Sequence, residues 1–260
     1  QPNIKRLNLI IYILFAIGLF FRIWLMPIGC HIDMISNMWV PFKAVYHSQN
    51  FATIDPLSRE HTLAQLLTLP YYKIIKPLMF PALNNIWQKD YNYTFDNDAW
   101  RYYSKNKFVL RANFLNKLPF LIFDILTLFV FVNIFQSIRL RFIAFCVWWL
   151  NPLAFYIIYL FGRFETYTSL FIALSLLSAR YNKKKLACLF FGIAAAFRYY
   201  PVLFFPIIVI AFSKTFKDYI KYSIFCLLPL ILSNSIWLLP SFQINTNTAL
   251  QLDNTGLGQV

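Results

Sequence analysis

Few side chains in this sequence can do acid–base or ion-pair chemistry, and they stand apart in apolar surroundings. Asp33 lies in His31-Ile32-Asp33, just after the first apolar run. A carboxylate held at a water–lipid boundary can take a proton from a hydroxyl when its neighbours orient it. The same residue is equally a favoured N-cap for a helix starting at Met34. Arg198 sits in Arg198-Tyr199-Tyr200-Pro201, midway through another apolar run. A guanidinium there can grip a phosphate through two parallel donors, or it can snorkel to lipid headgroups. Arg163 and Glu165 share a short connection and can form a solvated pair. Lys117 and Asp124 are seven residues apart in one apolar run. Two helical turns put them on one face, as an internal charge pair fixing helix packing or as part of a polar site.

The elements that must position these groups follow from composition. The 260 residues are 59% hydrophobic and only 13% charged, whereas soluble domains are about a quarter charged. This points to an integral membrane protein. The net charge of +14 raises nucleic acid as a partner, but the charges are placed otherwise. Lys5 and Arg6, Arg139 and Arg141, Arg180 with Lys183 to Lys185, and Lys214 with Lys217 and Lys221 all flank apolar runs. That is the positive-inside pattern of cytoplasmic loops, and no basic patch tracks a phosphate backbone. Cys146, Cys188 and Cys226 lie inside apolar runs, and Cys30 stands alone, so no disulfide framework or metal spacing is visible. His31, His47 and His61 lack ligand spacing, which argues against a metal. No nucleotide or hydrolase motif occurs.

The expected fold is all-α: a polytopic transmembrane bundle forming a single domain over 1–260. Its spans run about 7–27, 114–138, 142–161, 166–179 and 222–240, each judged against the ~20 residues that a bilayer core needs. Arg22, near the end of the first, is expected to snorkel to the headgroups. Residues 186–212 read as a hairpin of two half-span helices meeting at Arg198, or else as one proline-kinked span that would place the next lysines outside. An outer loop, 28–113, carries surface helices at Ser36 to Tyr46 and Leu63 to Phe80, the second cut into pieces by Pro70, Pro77 and Pro81. It also holds the glycosylation sequon Asn92-Tyr93-Thr94. Gln1 in place of Met and the polar tail from Gln243 point to a piece of a longer protein, truncated at its C-terminus.

The order of these features resembles the GT-C superfamily of polytopic glycosyltransferases. The resemblance is carried by Asp33 after the first span, Lys117-Leu118-Pro119 with Asp124, and Trp149-Leu150-Asn151-Pro152. Gly162-Arg163-Phe164-Glu165 and the basic residue and prolines between Gly192 and Pro206 complete it. It covers nearly the whole chain and is nearest to polyprenol-dependent bacterial and archaeal members and to the mannosyltransferases of GPI-anchor synthesis. The sequence departs from the family in one acid at Asp33 where many members have two, and in Glu165 for Asp and Arg198 for Lys. The resemblance implies inverting transfer of a hexose such as mannose from a polyprenyl- or dolichyl-phosphate donor to a glycan, lipid or protein hydroxyl. Asp33 would be the general base, and Arg198, Arg163, Glu165 and Tyr199 would bind the donor phosphate, with no cofactor and no metal. The setting would be a bacterial or archaeal plasma membrane or the endoplasmic reticulum. Two other readings fit a chain of this composition: a transporter or lipid flippase, and a non-catalytic subunit on the same scaffold.

Cysteine-labelling of intact vesicles should place positions between Asp33 and Asn113 on the extracytoplasmic side and Lys183 to Lys185 opposite. Labelling of the long loop from the cytoplasm would invert the proposed chemistry.

Overall fold

From Leu7 to Phe21 the chain carries neither charge nor proline, and it forms helix α1 (Ile4–Ile28). The computed structural model describes residues 4–29, 31, 34, 41, 45, 62–79 and 105–235. After α1 come α2 (Thr62–Met79), α3 (Val109–Asn133), α4 (Ile138–Trp149), α5 (Glu165–Arg180), α6 (Lys184–Phe197), α7 (Phe205–Phe212) and α8 (Phe216–Ser235). No strand occurs among the described residues. Asp33, most of the expected helix at Ser36 to Tyr46, the Asn92 sequon and the tail after Ser235 lie outside them. Three segments are long and apolar enough to cross a membrane: Arg6–Ile28, Val109–Asn133 and Ile138–Leu160. Large apolar side chains such as Leu9, Phe20, Phe129 and Val147 stay exposed on them. By length and composition this is a membrane protein.

Several boundaries differ from the sequence expectation for local reasons. Helix α3 starts at Val109 and stops at Asn133, because the chain turns and Ser137 caps α4 by accepting from Leu140 N at 3.2 Å. The Ile138–Leu160 segment breaks at Asn151-Pro152, where the Asn151 side chain accepts from Leu153 N at 2.9 Å. The helix restarts there and widens into a π turn over Phe155–Leu160. Helix α2 runs straight through Pro70 and Pro77, contrary to the expected cuts. Tertiary anchoring offsets their cost. The Tyr71 hydroxyl donates to Leu115 O and the Tyr72 hydroxyl to Asn116 Oδ1 at 2.5 Å. Leu115 O is the carbonyl that Pro119, four residues on in α3, has no N–H to reach. One tyrosine thus fills the gap left by a proline. Burial pushes the Tyr71 hydroxyl well above its ordinary pKa, so it stays a donor.

After Phe197 the chain doubles back. Arg198 is extended, a 3-10 turn covers Tyr200–Phe204, and α7 returns beside α8. Lys184 Nζ donates to Phe212 O at 2.9 Å although the two are 28 residues apart. A continuous helix would separate them by roughly 40 Å. Arg180 likewise reaches Asn133 O. The basic turns at 134–141, 180–185 and 213–221 therefore share one end of the bundle, and residues 162–165 and 198–200 lie at the other.

The core holds charges in place of the expected surface arrangement. Arg22 does not snorkel: it is fully buried. Its Nε donates to Asp124 Oδ2 at 2.6 Å, and its Nη1 donates to Trp149 O at 2.9 Å. The guanidinium lies 3.5 Å from the centre of the Trp149 ring. Gly18, one turn before Arg22, is needed because a Cβ there would enter that ring. Asp124 also accepts from Trp148 Nε1 and the Tyr159 hydroxyl, both at 2.8 Å. Asp124 is thus paired with Arg22 and not with Lys117. An arginine fits better than a lysine, since its fork serves a carboxylate and a carbonyl at once.

Arg22→Met alone should lower the thermal unfolding midpoint of the detergent-solubilised protein sharply, since an orphaned buried charge costs about 3–5 kcal/mol. The double variant Arg22→Met/Asp124→Leu should recover most of the loss. A double variant no more stable than the single would show that the ion pair is not the source of the cost.

Candidate functional site

The carbonyls at the end of α1 have no partners within their own helix. Residues Asn113 and Lys117, spaced i, i+4 on one face of α3, supply them. Asn113 Nδ2 donates to Pro27 O at 3.0 Å. The Lys117 ammonium, fully buried, donates to Met26 O at 3.0 Å, to Gly29 O, and to Tyr159 O at 2.6 Å. Carbonyl dipoles at a helix C-terminus are the favourable end for a cation. Lys117 therefore binds two separate segments: the exit of α1 and the exit of the π turn. They touch directly, because a Cβ on Gly29 would collide with the Leu160 backbone and lie 2.6 Å from Tyr159 O.

That clamp brings distant parts of the sequence together. Just beyond it, the His31 ring stacks on Phe161 with centroids 4.1 Å apart. Gly162 takes a left-handed conformation with φ +70°, and a Cβ there would strike the Met34 side chain, with Sδ only 2.7 Å away. His31 and Met34 flank Asp33 in sequence, and Asp33 itself lies outside the described residues. Both neighbours rest on the two residues that lead into Arg163 and Glu165.

Glu165 opens α5 and collects two guanidinium groups. Its Oε1 accepts from Arg198 Nη2 at 3.3 Å and stands 3.8 Å from Arg163 Nη1. All three side chains are part-exposed, from 20% for Arg198 to 41% for Arg163, so the cluster meets the outside of the bundle. Arg198 is aimed by backbone geometry. Its N–H closes α6 on Ala194 O at 3.2 Å, then the chain turns extended with φ −149° and ψ 135° ahead of Pro201. Glu165 Oε2 and the buried hydroxyls of Thr166 and Tyr167 have no hydrogen-bond partner among the described residues. Two guanidinium groups sharing one carboxylate leave net positive charge at a part-exposed surface, which can receive an anion.

Of the residues singled out from sequence, Arg163, Glu165 and Arg198 are brought together. Tyr199 turns away: its hydroxyl donates to Asn234 Oδ1 at 3.1 Å. Tyr200 takes the place by the cluster, close to Glu165, Arg198 and Thr168. Sequence reasoning missed Tyr200, Thr166 and Thr168. The break in the helix at Arg198 hid which tyrosine stands beside Glu165, although Thr166 and Thr168 do lie within one helical turn of Glu165. The sequence also set Lys117 beside Asp124 on one face, which concealed the carbonyl clamp. Among the described residues no group of three His, Cys, Asp or Glu side chains is placed to hold a metal.

No protein-family model matches the chain, and neither the curated proteins nor the solved structures contain a significant match.

Lys117→Met should leave the carbonyls of Met26, Gly29 and Tyr159 without their shared donor. In a background with His31→Cys and Phe161→Cys, oxidative cross-linking should be efficient while Lys117 is kept and fall severalfold once Lys117→Met is added. Undiminished cross-linking would show that the two exits hold together without the ammonium.

Proposed function

We propose that the chain is the membrane domain of a multi-pass glycosyltransferase of the GT-C type. It would move a hexose such as mannose from a polyprenyl- or dolichyl-phosphate to an acceptor hydroxyl at the extracytoplasmic face. The observation that carries this reading is the convergence at one end of the bundle. The neighbours of Asp33 sit on Phe161 and Gly162, and the next residues form the Arg163–Glu165–Arg198 cluster. The lysine-rich turns lie at the opposite end, which under the positive-inside rule puts the cluster outside.

In the proposed reaction Asp33 removes the proton of the acceptor hydroxyl as its oxygen attacks the anomeric carbon. The bond from that carbon to the lipid-phosphate oxygen breaks on the opposite face, so configuration inverts. The departing phosphate gains negative charge, which Arg198 and Arg163 neutralise. Glu165 holds both guanidinium groups at the mouth of the site, and a phosphate displaces it from part of that contact. Arg22, Asp124 and Lys117, the deep charges, are each engaged by internal partners. That favours a scaffold role for them over a charged transport path through the bundle.

The test uses membranes carrying the chain and a radiolabelled polyprenyl-phosphate hexose. Asp33→Asn keeps the shape of the side chain and removes its basicity, and should cut transfer by about 10²–10⁴-fold. Arg198→Gln should weaken donor use strongly and Arg198→Lys only in part, since lysine keeps the charge without the fork. Transfer by Asp33→Asn within a few-fold of the parent would reduce that residue to a helix cap and overturn the mechanism.

A further inference from the structure

The lysine-rich end of the bundle carries a second surface feature that the transfer reaction does not use. A pocket of about 350 Å³ opens beside the turn before α8, lined by Ser213, Lys214, Thr215 and Tyr219. Tyr219 also lines an apolar trough of about 290 Å³ that continues down α8 past Ile220, Ile224, Leu227 and Ile231. The two meet at Tyr219, so that a cationic mouth adjoins a hydrocarbon-like body along one groove of α8. We propose that this groove binds an anionic phospholipid, with its phosphate at Lys214 and an acyl chain laid along α8.

Charge and dimension both fit that occupant. Asp218, the acidic residue nearest the mouth, is already matched: Lys221 Nζ approaches its Oδ1 at 2.5 Å and Thr215 donates to its Oδ2 at 3.2 Å. Among the described residues neither Lys214 nor Lys217 has a counter-charge. A lipid phosphate supplies one, as basic pockets at the cytoplasmic side of membrane proteins do for anionic headgroups. From Tyr219 to Ile231 the helix rises about 18 Å, close to the ~15 Å depth of one leaflet's hydrocarbon. Ser223 lines the trough about 6 Å below Tyr219, and its buried hydroxyl has no partner among the described residues. That depth suits the ester carbonyls just below a headgroup. Ile220, Ile224 and Ile231 are exposed side chains, so the trough is open to lipid from the side.

The experiment is native mass spectrometry of the whole chain released from nanodiscs containing equal phosphatidylglycerol and phosphatidylcholine. Phosphatidylglycerol should be retained preferentially. Lys214→Gln should lower that preference about fivefold, the weight of one cation near a membrane surface. Ile224→Trp fills the trough from outside the core and should reduce retention of both lipids. Arg139→Gln, at the same end of the bundle but away from the groove, should change nothing. An equal loss with Arg139→Gln would replace the site by a diffuse positive field and overturn the proposal. So would unchanged retention in Ile224→Trp, or displacement of the lipid by millimolar inorganic phosphate, which would mark a plain anion pocket.

Discussion

A buried ammonium gripped by backbone carbonyls is the constraint on which this architecture turns. Lys117 donates to carbonyl oxygens from two segments far apart in sequence. Pulling either segment away would take acceptors from a charge in an apolar interior, at a cost far above that of a lost neutral hydrogen bond. The end of α1 and the end of the π turn are therefore held as one unit. The glycines allow the same contact sterically. Gly29 admits the Leu160 backbone and Gly162 admits the Met34 side chain. Electrostatics fixes which segments meet, and missing Cβ atoms let them meet closely.

The second buried charge group works on the same principle at another depth. Arg22 and Asp124 join α1 to α3, while Trp148, Trp149 and Tyr159 tie in the third membrane-length segment. Between helices in lipid, apolar packing alone gives little preference for one partner over another. The polar contacts supply that preference. The end that carries Gly162 can then hold irregular backbone, a left-handed glycine turn and a widened helix, because two buried networks hold the frame around it.

The helical class and the three membrane-length segments were legible in the sequence, because a long run without charge leaves few alternatives. Helix ends were read less well. Tyr71 carries α2 past its prolines by a contact 44 residues away, and no local pattern announces such a bond. The buried charged residues were located as exceptions, but their partners were not. Periodicity put Lys117 and Asp124 on one face, yet each found a nearer partner on another segment. Arg163 and Glu165 lie two residues apart, close enough to pair from the sequence. Arg198 joins them only because α6 packs against α5 and stops at the same level. Pairings across helices are tertiary facts, and a single sequence holds little information about them.

The clamp also bears on how such a chain enters a bilayer. Emerging alone, α3 would carry Lys117 and Asp124 into hydrocarbon at about 2.5 to 3.5 kcal/mol each. Its remaining residues are apolar enough to tolerate this, but not comfortably. Helix α1, made earlier, offers Arg22 for the aspartate and bare terminal carbonyls for the lysine. Meeting those groups would offset the cost of bringing both charges into hydrocarbon. In the folded chain the first helix thus supplies the partners that make the charged third helix stable in an apolar interior.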